Sequence, residues 1–163
     1  MTSGSCSAAS RRCSTPSVSS TPARCSPLVP DIRVSAAVIV DDAGRVLVVR
    51  KHGTTRFMQP GGKPEPGETP AQTLIRELHE ELGIELVEAD LSPLGIFVSE
   101  AANEPGHRVI ADAFAVTAPI ADVVVQAELA ELRWITPADA ESLPLAPLST
   151  EHLLPLAWPA AGG

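Results

Sequence analysis

The sequence predicts an α+β or α/β sandwich in which a mixed β-sheet is covered by helices. Two observations carry this: short apolar runs separated by turn residues recur along the chain, and one clear amphipathic helix interrupts them. The length of 163 residues suits one domain, since domains run to about 100–200 residues. Only 3% of residues are aromatic, so the core has to be built mainly from Ala, Val, Leu and Ile.

Residues 1–30 hold nine Ser, three Thr and four Pro and almost no large apolar side chain. Such a segment buries too little surface to offset its ordering entropy, and it is expected to be a disordered tail before a folded domain at 31–160. Its Ser-rich, acid-free character also fits a targeting peptide, but no amphipathic period accompanies it. The first strand signal is Val34–Val40, apolar apart from Ser35. Turn residues Asp41–Gly44 follow, then Val46–Val49, which together predict a hairpin. After the Gly- and Pro-rich stretch 60–67, Thr69 and Pro70 supply an N-cap and a first helical residue, and Gly83 supplies a C-cap. Between them Ala71, Leu74, Ile75, Leu78 and Leu82 recur at helical spacing and form a stripe for the sheet. Leu94–Ser99 and Val109–Val116 predict a second hairpin joined by polar residues 100–108. Val123–Val125 and Leu132–Ile135 are further strand candidates, Thr136-Pro137 a helix start, and Ser149–Trp158 a last helix interrupted by Pro155.

The net charge is −8. Arg11, Arg12 and Arg24 lie in the tail, so the remainder carries nine bases against 20 acids, a net of −11. A body this acidic repels polyanions and argues against docking of long nucleic acid. It admits a small phosphorylated substrate if metal ions supply local positive charge. The three cysteines, Cys6, Cys13 and Cys25, form neither a C-x-x-C pair nor an even set, which fits neither a zinc site nor a disulfide framework. No apolar run is long enough to span a membrane, and a cytoplasmic location is expected.

The chemistry concentrates at 62–84. Glu77, Glu80 and Glu81 are spaced i, i+3 and i+4, so their side chains share one face of the helix. Like charges at this spacing destabilise a helix by about 0.2–0.5 kcal/mol per pair. A hard divalent cation relieves that repulsion, because Mg²⁺ takes oxygen ligands from one or two carboxylates together with substrate phosphates. The preceding glycines allow close backbone approach, Lys63 offers a charge to a phosphate, and Arg76 is placed to pair with Glu68 and tie loop to helix.

These residues fill the pattern G-x5-E-x7-R-E-U-x-E-E-x-G-U, with U a bulky aliphatic, at Gly62, Glu68, Arg76, Glu77, Leu78, Glu80, Glu81, Gly83 and Ile84. Seven fixed residues at roughly 7% usage each match by chance with a probability on the order of 10⁻⁸ at a given start. The segment resembles the Nudix box, and Pro60-Gly61-Gly62-Lys63 before it extends the similarity to the MutT-like branch. The box covers 23 of the 163 residues.

The resemblance implies an α/β/α sandwich and a Mg²⁺-dependent hydrolase, with Mn²⁺ as a possible substitute, acting on phosphoanhydride bonds. Glu77, Glu80 and Glu81 would be metal ligands, one of which could instead be the general base; Gly62 would contribute its carbonyl. Glu68 and Arg76 would form a supporting ion pair. Glu128, six residues before Trp134, stands where the branch has a further metal-binding glutamate, and Glu131 competes for that role. Glu100, Glu104 and Glu151 are other sources of a base, each more often a surface acid. Substrate contacts are expected from Lys63, Gly61 and Phe57. Phe57 and Phe97 could stack on a base, core packing being the alternative, while Trp134 reads as core and His79 as exposed. His107 and Arg108 are further candidates for phosphate contact.

The substrate class implied first is a nucleoside triphosphate, cleaved by a MutT-like pyrophosphohydrolase. The alternatives are ADP-ribose or a nucleotide sugar, or a non-catalytic ligand-binding module, which would typically lose box carboxylates that are all present here. The absence of Tyr disfavours the diadenosine polyphosphate branch. The Asn that reads oxidised guanine in MutT has no clear counterpart around Pro147–Thr150. A monomer or homodimer without membrane or long nucleic-acid partners is expected.

Overall fold

A computed structural model describes residues 30–120, 123–126 and 128–159. The expected tail therefore lies, but for Pro30, outside the described residues. Six strands form two sheets. β1 (Asp31–Val38), β3 (Gly61–Gly62), β4 (Leu91–Glu100) and β5 (Arg108–Val116) make a mixed sheet in the order β3-β1-β5-β4. In it β1 and β5 run parallel and the other pairs antiparallel. β2 (Val46–Lys51) and β6 (Leu129–Ile135) form a separate antiparallel pair.

Helix α1 (Pro70–Leu82) is closed at both ends as the sequence predicts. The Thr69 side chain accepts from the Gln72 amide, and the Gln72 side chain accepts from the Thr69 amide in return. Gly83 takes φ 67°, and its amide donates to the His79 carbonyl. The stripe Leu74, Leu78 and Leu82 is fully buried with Ala37, Ile39, Leu47, Val49 and Ile84. Val46 and Val48 point the other way and pack with Phe57, Ile135, Leu145 and Leu154. Both faces of β2 are covered, which explains an unbroken apolar run where a half-exposed strand would alternate. A third cluster, Ala36, Val38, Ala113 and Leu153, seats the C-terminal segment on the face of the mixed sheet away from α1. The result is a layer of strands between α1 and the C-terminal helical turns.

Those turns are a π-helical Ser149–Leu153 leading into the short α3 (Leu154–Ala157). Pro155 has no amide hydrogen, so a regular helical bond cannot be made there. Between α1 and these turns, α2 (Pro137–Ala140) starts at Thr136 as expected, in a capping box with Asp139. The 94–116 hairpin is present and longer than expected, with β4 and β5 paired from Leu91 to Glu100.

Two expectations are corrected. The 34–49 hairpin keeps its turn, with the Gly44 amide bonded to the Asp41 carbonyl and a Val40–Val46 bridge, but the strands then diverge into different sheets. Both edges of β1 are taken, by β3 and β5, and β2 finds β6 instead. Val123–Val125 is not a strand. The Val124 and Gln126 amides donate to the Leu82 and Glu81 carbonyls, which a helix C-terminus leaves without intrahelical donors. That contact brings the chain leading to Glu128 alongside Glu81. Among the described residues no helix is long and apolar enough to cross a membrane.

Candidate active site

β3 sets the position of the site. Gly61 and Gly62 pair with Ala36 and Ser35 of β1, and a Cβ on either would meet a close neighbour. Gly61 adopts φ 144°, and a Cβ there would collide with the Ser35 carbonyl oxygen. A Cβ on Gly62 would fall on the carboxylate of Glu77. The glycine backbone therefore lies directly against α1's glutamates.

From Gly62 the chain loops to Glu68, which Arg76 grips with both forks: Nε donates to Oε1 at 2.7 Å and Nη2 to Oε2 at 3.0 Å. The Thr73 hydroxyl and the Glu65 amide also donate to Glu68, each at 2.9 Å. The Arg76 hydrogen bonds, joined by these neutral donors, hold the Glu68 carboxyl down at about 2. The same guanidinium donates to Glu77 at 3.0 Å, to Glu80 at 3.2 Å and to the Lys63 carbonyl at 3.1 Å. The expected Glu68–Arg76 pair is thus present and is the centre of a larger clamp.

Glu81 lies deepest, 2% exposed. Its Oε2 accepts from the Gly61 amide at 3.3 Å. Lys51 Nζ sits 2.8 Å from Oε1, in a direction that leaves this oxygen without a hydrogen-bond partner of good geometry among the described residues. Burial pushes the Glu81 carboxyl above its ordinary value despite the nearby ammonium. Burial works against the Lys51 charge, but Glu81, Glu77 and Glu128 outweigh it and raise the lysine. Glu128 is 75% exposed and 3.8 Å from Lys51.

A cavity of about 680 Å³ is lined by Gly61, Gly62, Lys63, Arg76, Glu77, Glu80, Glu81 and Glu128. Glu68 supports it from behind through Arg76. Lys63 is exposed, 4.0 Å from Glu104, and Glu100 and Glu104 also reach the rim. Glu131 does not line the cavity: Arg50 and Arg133 hold it at 3.1 and 2.6 Å.

Phe57 is corrected as a substrate contact. It is 3% exposed, in the second core cluster, beneath Arg50 and Arg133 whose guanidiniums lie 5.7 and 5.2 Å from its ring centre. Phe97 stacks on His152, Glu151 accepts from Ser99, and Arg108 pairs with Asp31. These residues and His107 lie off the cavity, whereas Trp134 packs partly buried against the main core and His79 is exposed, as expected. The sequence reading missed Lys51, Gln59, Asn103 and Ser149, all of which line the cavity. Lys51 ends an apolar strand and Gln59 directly precedes Pro60-Gly61-Gly62, which were the available signals.

Expected convergence of three glutamates is not what this arrangement shows. Among the described residues no group of three or more His, Cys, Asp or Glu side chains is gathered closely enough to hold a metal ion. Arg76 draws Glu77 and Glu80 to itself while Lys51 holds Glu81. The donor set nevertheless suits a hard cation: its side-chain donors are carboxylate oxygens, one buried oxygen of Glu81 is held, among the described residues, only by the Lys51 ammonium, and the Gly62 backbone lies against Glu77.

The NUDIX domain model matches residues 30–157. The CTP pyrophosphohydrolase of Escherichia coli K12 is 37% identical over 123 residues, covering 71% of this chain and 84% of that protein. The 8-oxo-dGTP diphosphatase of Haemophilus influenzae is 41% identical over 64 residues, covering 37% of this chain and 47% of that protein. A crystal structure of a MutT protein from Methanosarcina mazei Go1 superposes with a TM-score of 0.61 at 27% identity, covering 74% of this chain and 88% of that one. The chain belongs to the NUDIX family, as a MutT-like hydrolase of phosphoanhydride bonds with the α/β sandwich of that fold. Nudix hydrolases generally need divalent cations and act on nucleoside diphosphate derivatives.

Proposed function

We propose that this enzyme is a Mg²⁺-dependent nucleoside triphosphate pyrophosphohydrolase, with Mn²⁺ able to substitute. The observation that carries the reading is the composition of one cavity: the α1 carboxylates with Lys51, the β3 glycines and Lys63, together with the apolar β1 and β5 side chains Ile32, Val34 and Val109. A triphosphate fits the first part and a nucleoside the second.

Glu77, Glu80, Glu81 and Glu128, with the Gly62 carbonyl, would hold the cation. When bound, it would neutralise the phosphate charge and make an attacking water more acidic. One of the three helix glutamates would take that water's proton instead of binding the cation. Lys63, exposed at the rim, reaches for the outer phosphates, and Arg76 fixes Glu77 and Glu80 in place. The relatives named for CTP and 8-oxo-dGTP hydrolysis support a nucleoside triphosphate over ADP-ribose or a nucleotide sugar.

The test is a pyrophosphate and phosphate release assay with Mg²⁺ across nucleoside triphosphates, oxidised nucleotides, ADP-ribose and nucleotide sugars. Cleavage of a nucleoside triphosphate to monophosphate and pyrophosphate, abolished by EDTA, is expected. Preferred turnover of ADP-ribose or a nucleotide sugar, or no turnover with tight binding, would overturn the proposal.

A further inference from the structure

The cavity contains a second polar element that phosphate chemistry does not use. Gln59 is 5% exposed and lines the wall between Gly61 and the C-terminal segment. Its Oε1 accepts from the fully buried Ser149 hydroxyl at 2.6 Å, whereas its Nε2 has no hydrogen-bond partner among the described residues. A buried, unpaired amide donor is costly, and native proteins satisfy nearly all such groups.

The backbone around it is fixed on every side. The Met58 amide and carbonyl both bond to Val49, the Pro60 carbonyl accepts from Ala37, and Phe57 is tied to Pro144 and Ala146. In the orientation the structure shows, Ser149 engages Oε1 and leaves Nε2 as the free end of the amide. The group left unpaired on this side chain, among the described residues, is therefore the Nε2 donor. The same cavity is also lined by the aliphatic Ala36 and Val34 of β1, Val109 of β5, Ala146 and Leu148, which offer apolar surface to a base.

Resting on the nucleotide reading of the same cavity, we propose that Gln59, held by Ser149, is the base-selecting residue. Its Nε2 donates to an exocyclic carbonyl oxygen, so the enzyme favours nucleotides of keto bases (guanine, uracil, thymine and their oxidised forms) over those with an amino group at that place (adenine, cytosine). An amino group would meet Nε2 donor to donor and leave both unpaired.

The experiment measures binding by calorimetry, in Mg²⁺ buffer, of α,β-methylene triphosphates of guanosine, uridine, adenosine and cytidine. These analogues are not cleaved between the α and β phosphates, so the readout is independent of turnover. The wild type is expected to bind the guanosine and uridine analogues about tenfold or more tightly than their amino counterparts. Gln59→Glu replaces the donor with an acceptor of the same shape and should reverse that order. Ser149→Ala frees the amide to rotate and should bring the ratio toward one. Equal binding of all four by the wild type overturns the inference whether or not any variant folds. A wild-type ratio retained in a folded Gln59→Glu protein overturns it too. Absence of turnover would sink the hydrolase reading and leave the base preference measurable.

Discussion

Gly62→Ala isolates the site from the fold. Gly62 lies at an ordinary backbone angle, and the new methyl would meet only the end of the Glu77 side chain. To regain a normal carbon contact of about 3.5 Å the carboxylate must retreat by about 1.4 Å. That displacement breaks its 3.0 Å bond from Arg76 and moves it within the cavity. Misplacing a reacting group by about 1 Å costs on the order of 100-fold in rate. Stability should scarcely change, because Gly→Ala at a compatible angle removes unfolded-state freedom worth about 0.4–1 kcal/mol and offsets the side-chain shift. Gly61→Ala is the opposite case. Its φ of 144° is strained for alanine and its methyl strikes the β1 backbone, so a loss of at least about 1–3 kcal/mol is expected. Urea unfolding together with kcat/KM for the best substrate decides. A Gly62→Ala enzyme with wild-type kcat/KM, or one destabilised as much as Gly61→Ala, would refute the reasoning.

Other consequences follow from the clamp and the core. Arg76→Lys keeps the charge but loses the fork that serves Glu68, Glu77, Glu80 and the Lys63 carbonyl together, so kcat should fall about tenfold to 100-fold with the fold retained; steady-state kinetics beside a thermal melt would show it. Glu68 has a folded-state pKa of about 2, below its ordinary 4.5, so its contribution is present above 4.5 and lost as the pH falls toward 2. Urea midpoints across that window should fall more steeply for the wild type than for Glu68→Gln, and parallel profiles would count against the pairing. Leu78→Ala empties a fully buried position at the centre of the α1 stripe and should cost about 2–5 kcal/mol by chemical denaturation.

Helix α1 was legible to the residue because its signals are local: Thr69, Pro70 and Gly83 act within a turn of where they stand, and the Leu74–Leu78–Leu82 stripe needs only one face to bury. Strand partners were not, since β1 and β2 carry the same apolar pattern whether they pair with each other or with β5 and β6. Val123–Val125 has strand composition but answers a need set elsewhere, the open carbonyls at the end of α1. At the site, the Glu68–Arg76 pair could be read from spacing, whereas Lys51 and Ser149 reach the cavity only through tertiary folding. Phe57 was misread because an aromatic near a glycine loop serves a core or a ligand equally well, and here Val46, Val48 and Ile135 enclose it.

The proposed role of α1's carboxylates is to hold a divalent cation beside Gly62. Mn²⁺ binding followed by electron paramagnetic resonance, with a non-cleavable nucleoside triphosphate present, tests this most directly. Saturable binding by the wild type that is weakened at least about tenfold in both Glu77→Gln and Glu81→Gln is the predicted result, about 1.4 kcal/mol per ligand lost. Equal binding in wild type and both variants, or no saturable binding at all, would contradict it.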